Sequence, residues 1–246
     1  MKAAVLGASK GVGRAIARAL AEQGAQIHLL GRDLEDLTRS AADLEQRSGG
    51  KIKVLATACD LEKPEGFHAA LDEADRALAG LDTVVITAGL FGVQTALEND
   101  LEFTRRMLTV NFANTVVFCE HARQKLMSHG GGTLCVVSSV AGERGRKPVV
   151  LYGASKAGLS AYLEGLDHKW HAEGLRVVNV KPGFVKTSMT EGLTPPPFAG
   201  EPEQVARDVV RAIERGSPVV YTPRIWALVM FVIRLLPRFI MRKLNF

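Results

Sequence analysis

Cysteine is scarce: the 246 residues hold three, Cys59, Cys119 and Cys135, with no CxxC and no Cys/His spacing. An odd, scattered set inside apolar stretches excludes a disulfide scaffold and reads as reduced core thiols. Long apolar runs are also missing. The N-terminal MKAAVLGASKG has only a short apolar stretch before glycine and serine, too little for a signal-peptide core, which favours a cytoplasmic protein. Ile225–Ile233 is nine apolar residues, about half of what crosses a bilayer. The 24 glycines follow no G-X-Y period, and no linker, repeat or low-complexity block divides the chain. Nothing resembles a nucleic-acid motif or an aromatic platform, so no nucleic-acid partner is expected. His168 and His171 stand three apart without a third ligand, so no metal site is expected either.

What is present is ordinary globular composition, 47% hydrophobic and 23% charged, with a net charge of +5. Short runs rich in Val, Ile and Leu alternate with helix-period segments. The runs are Lys2–Leu6, Gln26–Leu30, Lys51–Ala56, Thr83–Ala88, Thr133–Ser138, Arg176–Val180 and Val219–Thr222. Helical patterns cover Val12–Gln23, Leu34–Arg47, Gly66–Leu78, Leu101–Met127, Leu151–His171 and Glu203–Arg215. Strands without polar alternation are buried on both faces, so the expected fold is α/β: a doubly wound, Rossmann-type parallel sheet of seven strands with helices on both faces. Residues 1–223 form this nucleotide-binding catalytic domain, and residues 224–246 form a hydrophobic, basic helical tail.

The first strand runs into Gly7-Ala8-Ser9-Lys10-Gly11-Val12-Gly13, where a helix opens. Glycines at this junction let the backbone turn tightly against a pyrophosphate, which the helix N-terminus favours. An NAD site places a carboxylate at the end of the second strand. Here Gly31 and then Arg32 stand there, and Lys10 lies nearby in the glycine loop. Two cations converging on one place suit a 2′-phosphate, so the expected cofactor is NADP(H). Asp33 lies about where a ribose carboxylate would by counting, but it also suits the start of the next helix, near its dipole.

Tyr152 and Lys156 are four residues apart at the start of a helix and share one face. A tyrosine is a poor acid–base at neutral pH, and an adjacent ammonium would lower its pKa. Ser139 ends the fifth strand, on the side of a parallel sheet where ligands bind, and can donate to a carbonyl oxygen. Asn111 lies within the helical segment after the fourth strand, where it is either a satisfied helix amide or part of the site.

These pieces together, with Asp60, Ala88-Gly89 and Lys181-Pro182-Gly183 leading to Thr187, resemble the short-chain dehydrogenase/reductase family over residues 1 to about 220. The resemblance implies catalytic roles for Asn111, Ser139, Tyr152 and Lys156. Tyr152 would be the general acid–base and Ser139 would orient the carbonyl. Lys156 would bind the nicotinamide ribose, and Asn111 would hold a water linking Lys156 to solvent. It also implies cofactor contacts from Gly7, Ser9, Lys10, Gly11, Val12 and Gly13, from Arg32, and from Asp60 and Leu61 at the adenine. Ala88 and Gly89 would flank the ribose, and Pro182, Gly183, Val185 and Thr187 the nicotinamide. Homodimers or homotetramers are usual in the family. Thr87 stands where the family often has Asn.

The apolar, proline-rich stretch 187–202 suits a lid over an apolar substrate. In the tail, Arg234, Arg238 and Arg242 recur every four residues, and Pro237 kinks or restarts the helix. Residues 224–246 hold five cations and no acid, which leaves 26 basic against 26 acidic residues in the rest of the chain. Two readings of the tail stand open: a helix lying on an anionic membrane surface, or one packed on the domain or a second subunit. The expected activity is NADP-dependent reduction of a ketone or aldehyde, or the reverse oxidation, on an apolar, lipid-like 3-oxo substrate. The alternatives are an epimerase or dehydratase on the same fold, and a non-catalytic NADP-binding redox sensor or membrane scaffold.

Overall fold

The computed structural model describes residues 1–246. The chain alternates strand and helix from its start. The order is β1 (Lys2–Leu6), α1 (Gly11–Glu22), β2 (Gln26–Gly31), α2 (Leu34–Arg47), β3 (Val54–Ala58), α3 (Phe67–Leu78) and β4 (Thr83–Ile86). Then come α4 (Gln94–Asn99), α5 (Leu101–Leu108), α6 (Thr115–Ser128), β5 (Gly132–Val137), α7 (Val150–Trp170) and β6 (Leu175–Pro182). The last elements are α8 (Pro202–Arg215), β7 (Val219–Thr222), α9 (Ile225–Leu235) and α10 (Arg238–Met241). All seven strands are parallel, in the order β3-β2-β1-β4-β5-β6-β7. The sequence order reverses between β1 and β4, the switch point where such sheets bind ligands.

Alternate residues of each strand feed opposite cores. Ala3 and Val5 of β1 face the helices α1, α2 and α8, while Ala4 and Leu6 face α3, α6 and α7. Both faces being apolar explains the absence of polar alternation in the strand sequences. Cys59, Cys119 and Cys135 are free and buried, and burial pushes the thiols up, Cys59 to about 12.

Two segments differ from the sequence-based expectation. The strand expected at Lys51–Ala56 is β3, displaced toward its C-terminus. Gly49 and Gly50 take positive φ, and the Val54 amide, already given to Glu45 Oε1 at 2.7 Å, starts the strand. The single helix expected over Leu101–Met127 is interrupted by a π-helical turn at Thr109–Asn114. The Thr115 hydroxyl stabilises the wide turn by donating to the Val110 carbonyl five residues back, at 2.7 Å. Such turns occur often at functional sites. Helix α4 was not foreseen. No helix is long and apolar enough to cross a membrane.

Candidate active site

The chain leaves β1 at Gly7, whose φ is +91°. A Cβ there would stand 2.6 Å from Thr87 Oγ1 and 2.7 Å from the Ala88 nitrogen, and one on Gly13 would stand 2.2 Å from the Gly7 carbonyl oxygen. Only glycine lets the loop and the start of α1 press onto the end of β4 this closely. Thr87 fastens the junction, its hydroxyl donating to the Leu6 carbonyl at 3.0 Å. Lys10 precedes α1 in an extended conformation and places no side-chain cap on it. The first-turn N–H groups of α1 are therefore left for an anion, and the cradle fits a dinucleotide pyrophosphate.

At the far end of the cradle, Arg32 and not a carboxylate directly follows Gly31. Asp33 caps α2 by accepting from the Asp36 amide at 3.0 Å, the helix-start role open to it. The two cations do not converge as expected: Lys10 Nζ is drawn to Asp36 Oδ2 at 3.0 Å, while Arg32 is exposed and forms no ion pair. Asp60 accepts from the Glu62 amide at 3.0 Å. Leu61 is buried in the core, and its carbonyl accepts from Asn114 Nδ2 at 2.6 Å. Arg32, Asp60 and Leu61 follow the carboxyl ends of β2 and β3 and do not line the cavity described below.

Ser139 follows β5 in extended backbone. Its Oγ accepts from the Ala141 amide at 3.1 Å and reaches the Pro182 carbonyl at 3.5 Å. Gly142 and Gly153 let this loop meet α7: a Cβ on Gly142 would stand 2.6 Å from the Ala157 nitrogen, and one on Gly153 2.7 Å from the Ala141 carbonyl oxygen. That contact brings Ser139 to Tyr152. Phe91 packs edge-on against the Tyr152 ring at 5.1 Å. Lys156 is 5% exposed and donates to the Val137 carbonyl at 3.1 Å, its Nζ lying 5.8 Å from the Tyr152 ring centre.

Burial pushes the Tyr152 phenol up to about 12, with nearby Ser139 acting weakly in the opposite sense. The expected lowering by Lys156 does not enter: burial raises the phenol and only Ser139 opposes it. The ammonium is turned to a backbone carbonyl, and its own burial pulls Lys156 down to about 8.

Asn111 sits in the π-helical turn and is fully buried. Its Oδ1 accepts from the Leu90 amide and its Nδ2 donates to the Leu90 carbonyl, both at 2.7 Å. A Cβ on Gly89 would stand 3.1 Å from Asn111 Oδ1 and 3.7 Å from Lys156 Nζ, so Asn111 backs Gly89 and Lys156 in the cavity wall.

One cavity of about 1010 Å³ spans these features. Its wall includes Gly7, Ser9, Lys10, Gly11, Val12 and Gly13 at one end, and Ala88, Gly89, Ser139, Tyr152 and Lys156 in the middle. Pro182, Gly183, Val185 and Thr187 join them, and the far end is largely apolar. A family model described as short chain dehydrogenase matches residues 1–197. The chain belongs to the short-chain dehydrogenase family. It is 35% identical over 242 residues to an uncharacterized oxidoreductase of Mycobacterium tuberculosis, covering 98% of this chain and 95% of that one. It is 31% identical over 225 residues to carbonyl reductase family member 4 of Xenopus tropicalis, covering 88% and 92% of the two. A putative short-chain alcohol dehydrogenase from Sinorhizobium meliloti superposes with a TM-score of 0.80 at 26% identity, covering 89% and 93%. The protein is accordingly an oxidoreductase of the family that uses nicotinamide nucleotides.

The far end of the cavity holds residues that sequence reasoning passed over or, for Arg146, read as part of a solvated loop. Phe91, Val93, Gln94 and Thr95 line it at the entry to α4, and Arg146, Pro148 and Val149 line it before α7. The expected lid does line the cavity through Met189, Leu193, Pro196, Pro197 and Phe198, and the tail adds Trp226, Val229, Ile233 and Phe246. Trp226 roofs Gly183, where a Cβ would stand 2.0 Å from its Nε1, and that nitrogen donates to the Phe198 carbonyl at 3.2 Å. Trp226, Met230 and Ile233 form a small core with Val140. The tail therefore packs on the domain with one face. The expected arginine stripe is split: α9 stops at Leu235, Leu236 is extended, and Pro237 starts α10. Arg234 turns to Glu143 Oε2 at 3.3 Å, a buried carboxylate that also pairs with Lys181 and accepts from the Tyr221 hydroxyl at 3.2 Å. The only sequence signal for this roof is the apolar run from Ile225.

Proposed function

We propose that the enzyme is an NADP(H)-dependent carbonyl reductase that reduces a ketone or aldehyde on an apolar, lipid-like 3-oxo substrate, and that also runs in reverse. The observation that carries this reading is the meeting of Ser139, Tyr152 and Lys156 in one cavity with the glycine cradle. The bound cofactor supplies the hydride that reaches the carbonyl carbon. Ser139 donates a hydrogen bond to the carbonyl oxygen as negative charge develops on it. Tyr152, held protonated by burial, gives its proton to that oxygen. Lys156 binds the nicotinamide ribose and, while charged, stabilises the phenolate left behind. Asn111 fixes the Leu90 backbone and holds a water through which Lys156 exchanges protons with solvent. The apolar walls from lid and tail exclude water and suit a hydrocarbon chain. The similarity to carbonyl reductase family member 4 supports the reaction class.

The choice of NADP over NAD rests on Arg32 directly after Gly31, where an NAD site carries a carboxylate, and on Lys10 in the glycine loop, two cations that a 2′-phosphate would draw together. Lys10, itself exposed, would exchange Asp36 for the 2′-phosphate, and Asp36 would keep its second partner, Arg39. Comparing NADPH and NADH affinities before and after Arg32→Asp tests this, and equal affinities in the starting protein would refute it. The oxidation of NADPH across a panel of long-chain oxo compounds, followed by absorbance, tests the reaction. An epimerase or dehydratase would show no net change.

The outer face of the tail leaves Leu228, Phe231, Val232, Leu235 and Phe239 exposed, with Arg224, Arg238, Arg242 and Lys243 exposed around them. Apolar side chains ringed by cations suit the anionic inner face of a membrane, whereas a second copy would set like charges against each other. On this reading the enzyme is cytoplasmic and peripheral, taking substrate where the roof meets lipid. Phe231→Glu with Leu235→Glu changes only exposed positions and should release the protein from anionic vesicles. Undiminished vesicle binding would contradict membrane docking.

A further inference from the structure

The loop between β5 and α7 carries three cations, and the structure gives them different work. Arg144 Nη2 donates to the Leu236 carbonyl at 2.9 Å, and Lys147 Nζ donates to Asn245 Oδ1 at 2.8 Å, so both hold the tail. Arg146, between them, lines the cavity. It forms no ion pair, and its Nε is buried with no hydrogen-bond partner. Burial holds its guanidinium below its ordinary pKa. A half-buried guanidinium with no carboxylate partner and an orphaned Nε is costly, and buried cations are ordinarily paired.

The composition of the cavity says what is missing. Its charged lining residues are Lys10 in the phosphate cradle, Lys156 beside Tyr152, and Arg146; no Asp or Glu lines it. The nearest carboxylate in sequence, Glu143, is taken by Lys181, Tyr221 and Arg234. Arg146 precedes Tyr152 by six residues and lines the wall with Pro148 and Val149. A planar guanidinium with free donors matches a carboxylate or phosphate, often in two parallel hydrogen bonds.

We propose that Arg146 recognises an oxyanion on the substrate, so that the oxo compound is an anionic amphiphile. A carboxylate or phosphate group meets Arg146, and the hydrocarbon lies against Trp226, Ile233 and the lid. This names the substrate class of the carbonyl-reductase site and rests on that reading. Tail and lid account for the apolar part of the substrate, and Arg146 for its charge.

The test uses the full chain loaded with NADPH and three unreactive probes, decanoate, decyl phosphate and decanol, with binding measured by calorimetry. At least one anion should bind about tenfold or more tighter than decanol, the worth of a charge-assisted hydrogen bond. Which anion wins separates carboxylate from phosphate. Arg146→Gln should abolish the preference and Arg146→Lys should restore part of it, with thermal unfolding confirming that both variants fold. Equal binding of anions and decanol, or a preference that survives Arg146→Gln, overturns the proposal. So does a result in which Arg146→Gln weakens NADPH binding instead of anion binding. Turnover is scored separately, comparing an oxo acid with its methyl ester. If anion binding depends on Arg146 but neither compound oxidises NADPH, the reductase reading fails and the anion site stands.

Discussion

Replacing Trp226 by alanine should open the roof of the cavity and leave the domain folded. The indole is 9% exposed, and its Nε1 donates to Phe198. A buried tryptophan hides about 150–250 Å², so at about 25 cal/mol per Å² the truncation removes on the order of 4–6 kcal/mol, with about 1 kcal/mol more for the hydrogen bond. The main cores on the two faces of the sheet do not include Trp226; its own cluster has four buried residues. The loss therefore falls on the attachment of α9, whose other ties are Met230, Ile233, the Arg234–Glu143 pair and the Arg144 bond to Leu236. Hydrogen exchange should speed up in α9 and in the lid at 187–200, while exchange in β1 and β4 stays slow. KM for an apolar ketone should rise by about tenfold or more, since part of its wall is gone. Unchanged exchange in α9 together with an unchanged KM would refute the claim that the tail roofs the site. A fall in global stability as large as that of a central core truncation would refute it equally.

Two further perturbations test the electrostatics. Lys156 is pulled down to about 8 from an ordinary 10.5, so between those values the unfolded chain binds a proton that the folded one does not. Stability should therefore rise as pH climbs from about 8 to about 10.5, and the penalty for burying Lys156 should be fully present, and independent of pH, below about 8. Near neutral pH, Lys156→Met should resist denaturant better than the native protein, by on the order of 3 kcal/mol, with the gap closing toward high pH. A gap independent of pH would contradict this. Glu143→Gln should strand Lys181, which is 13% exposed, and free Arg234. Removing one partner of a buried pair costs about 3–5 kcal/mol, so the denaturation midpoint should fall and exchange in α9 should quicken. An unaltered midpoint would show that the pair contributes nothing.

The sheet was readable because strands buried on both faces carry continuous apolar runs, and because Gly7 to Gly13 mark the turn from β1 to α1. Ser139, Tyr152 and Lys156 were readable because a strand end and one helical turn fix their relative places. The π-helical turn around Asn111 was not, since one extra residue in a turn barely disturbs a helical apolar pattern over Leu101–Met127. The start of β3 depended on a distant side chain, Glu45 on the Val54 amide, which no local pattern records. The tail's apolar run was visible, but amphipathicity does not say which face meets protein. The Gly183–Trp226 contact decides that through a pairing far apart in the chain. The same holds for Arg144, Arg146 and Lys147, alike in sequence and separated only by what folds against them.

The central claim is that the cavity reduces a carbonyl group with Tyr152 as the proton donor. The most direct measurement is single-turnover oxidation of bound NADPH by a long-chain oxo compound, in the native enzyme and in Tyr152→Phe. The substitution removes one hydroxyl and keeps the ring against Phe91. NADPH binding should be retained and the rate lowered by about 10²–10⁴-fold, the usual worth of a positioned general acid. An undiminished rate in Tyr152→Phe would contradict the central claim.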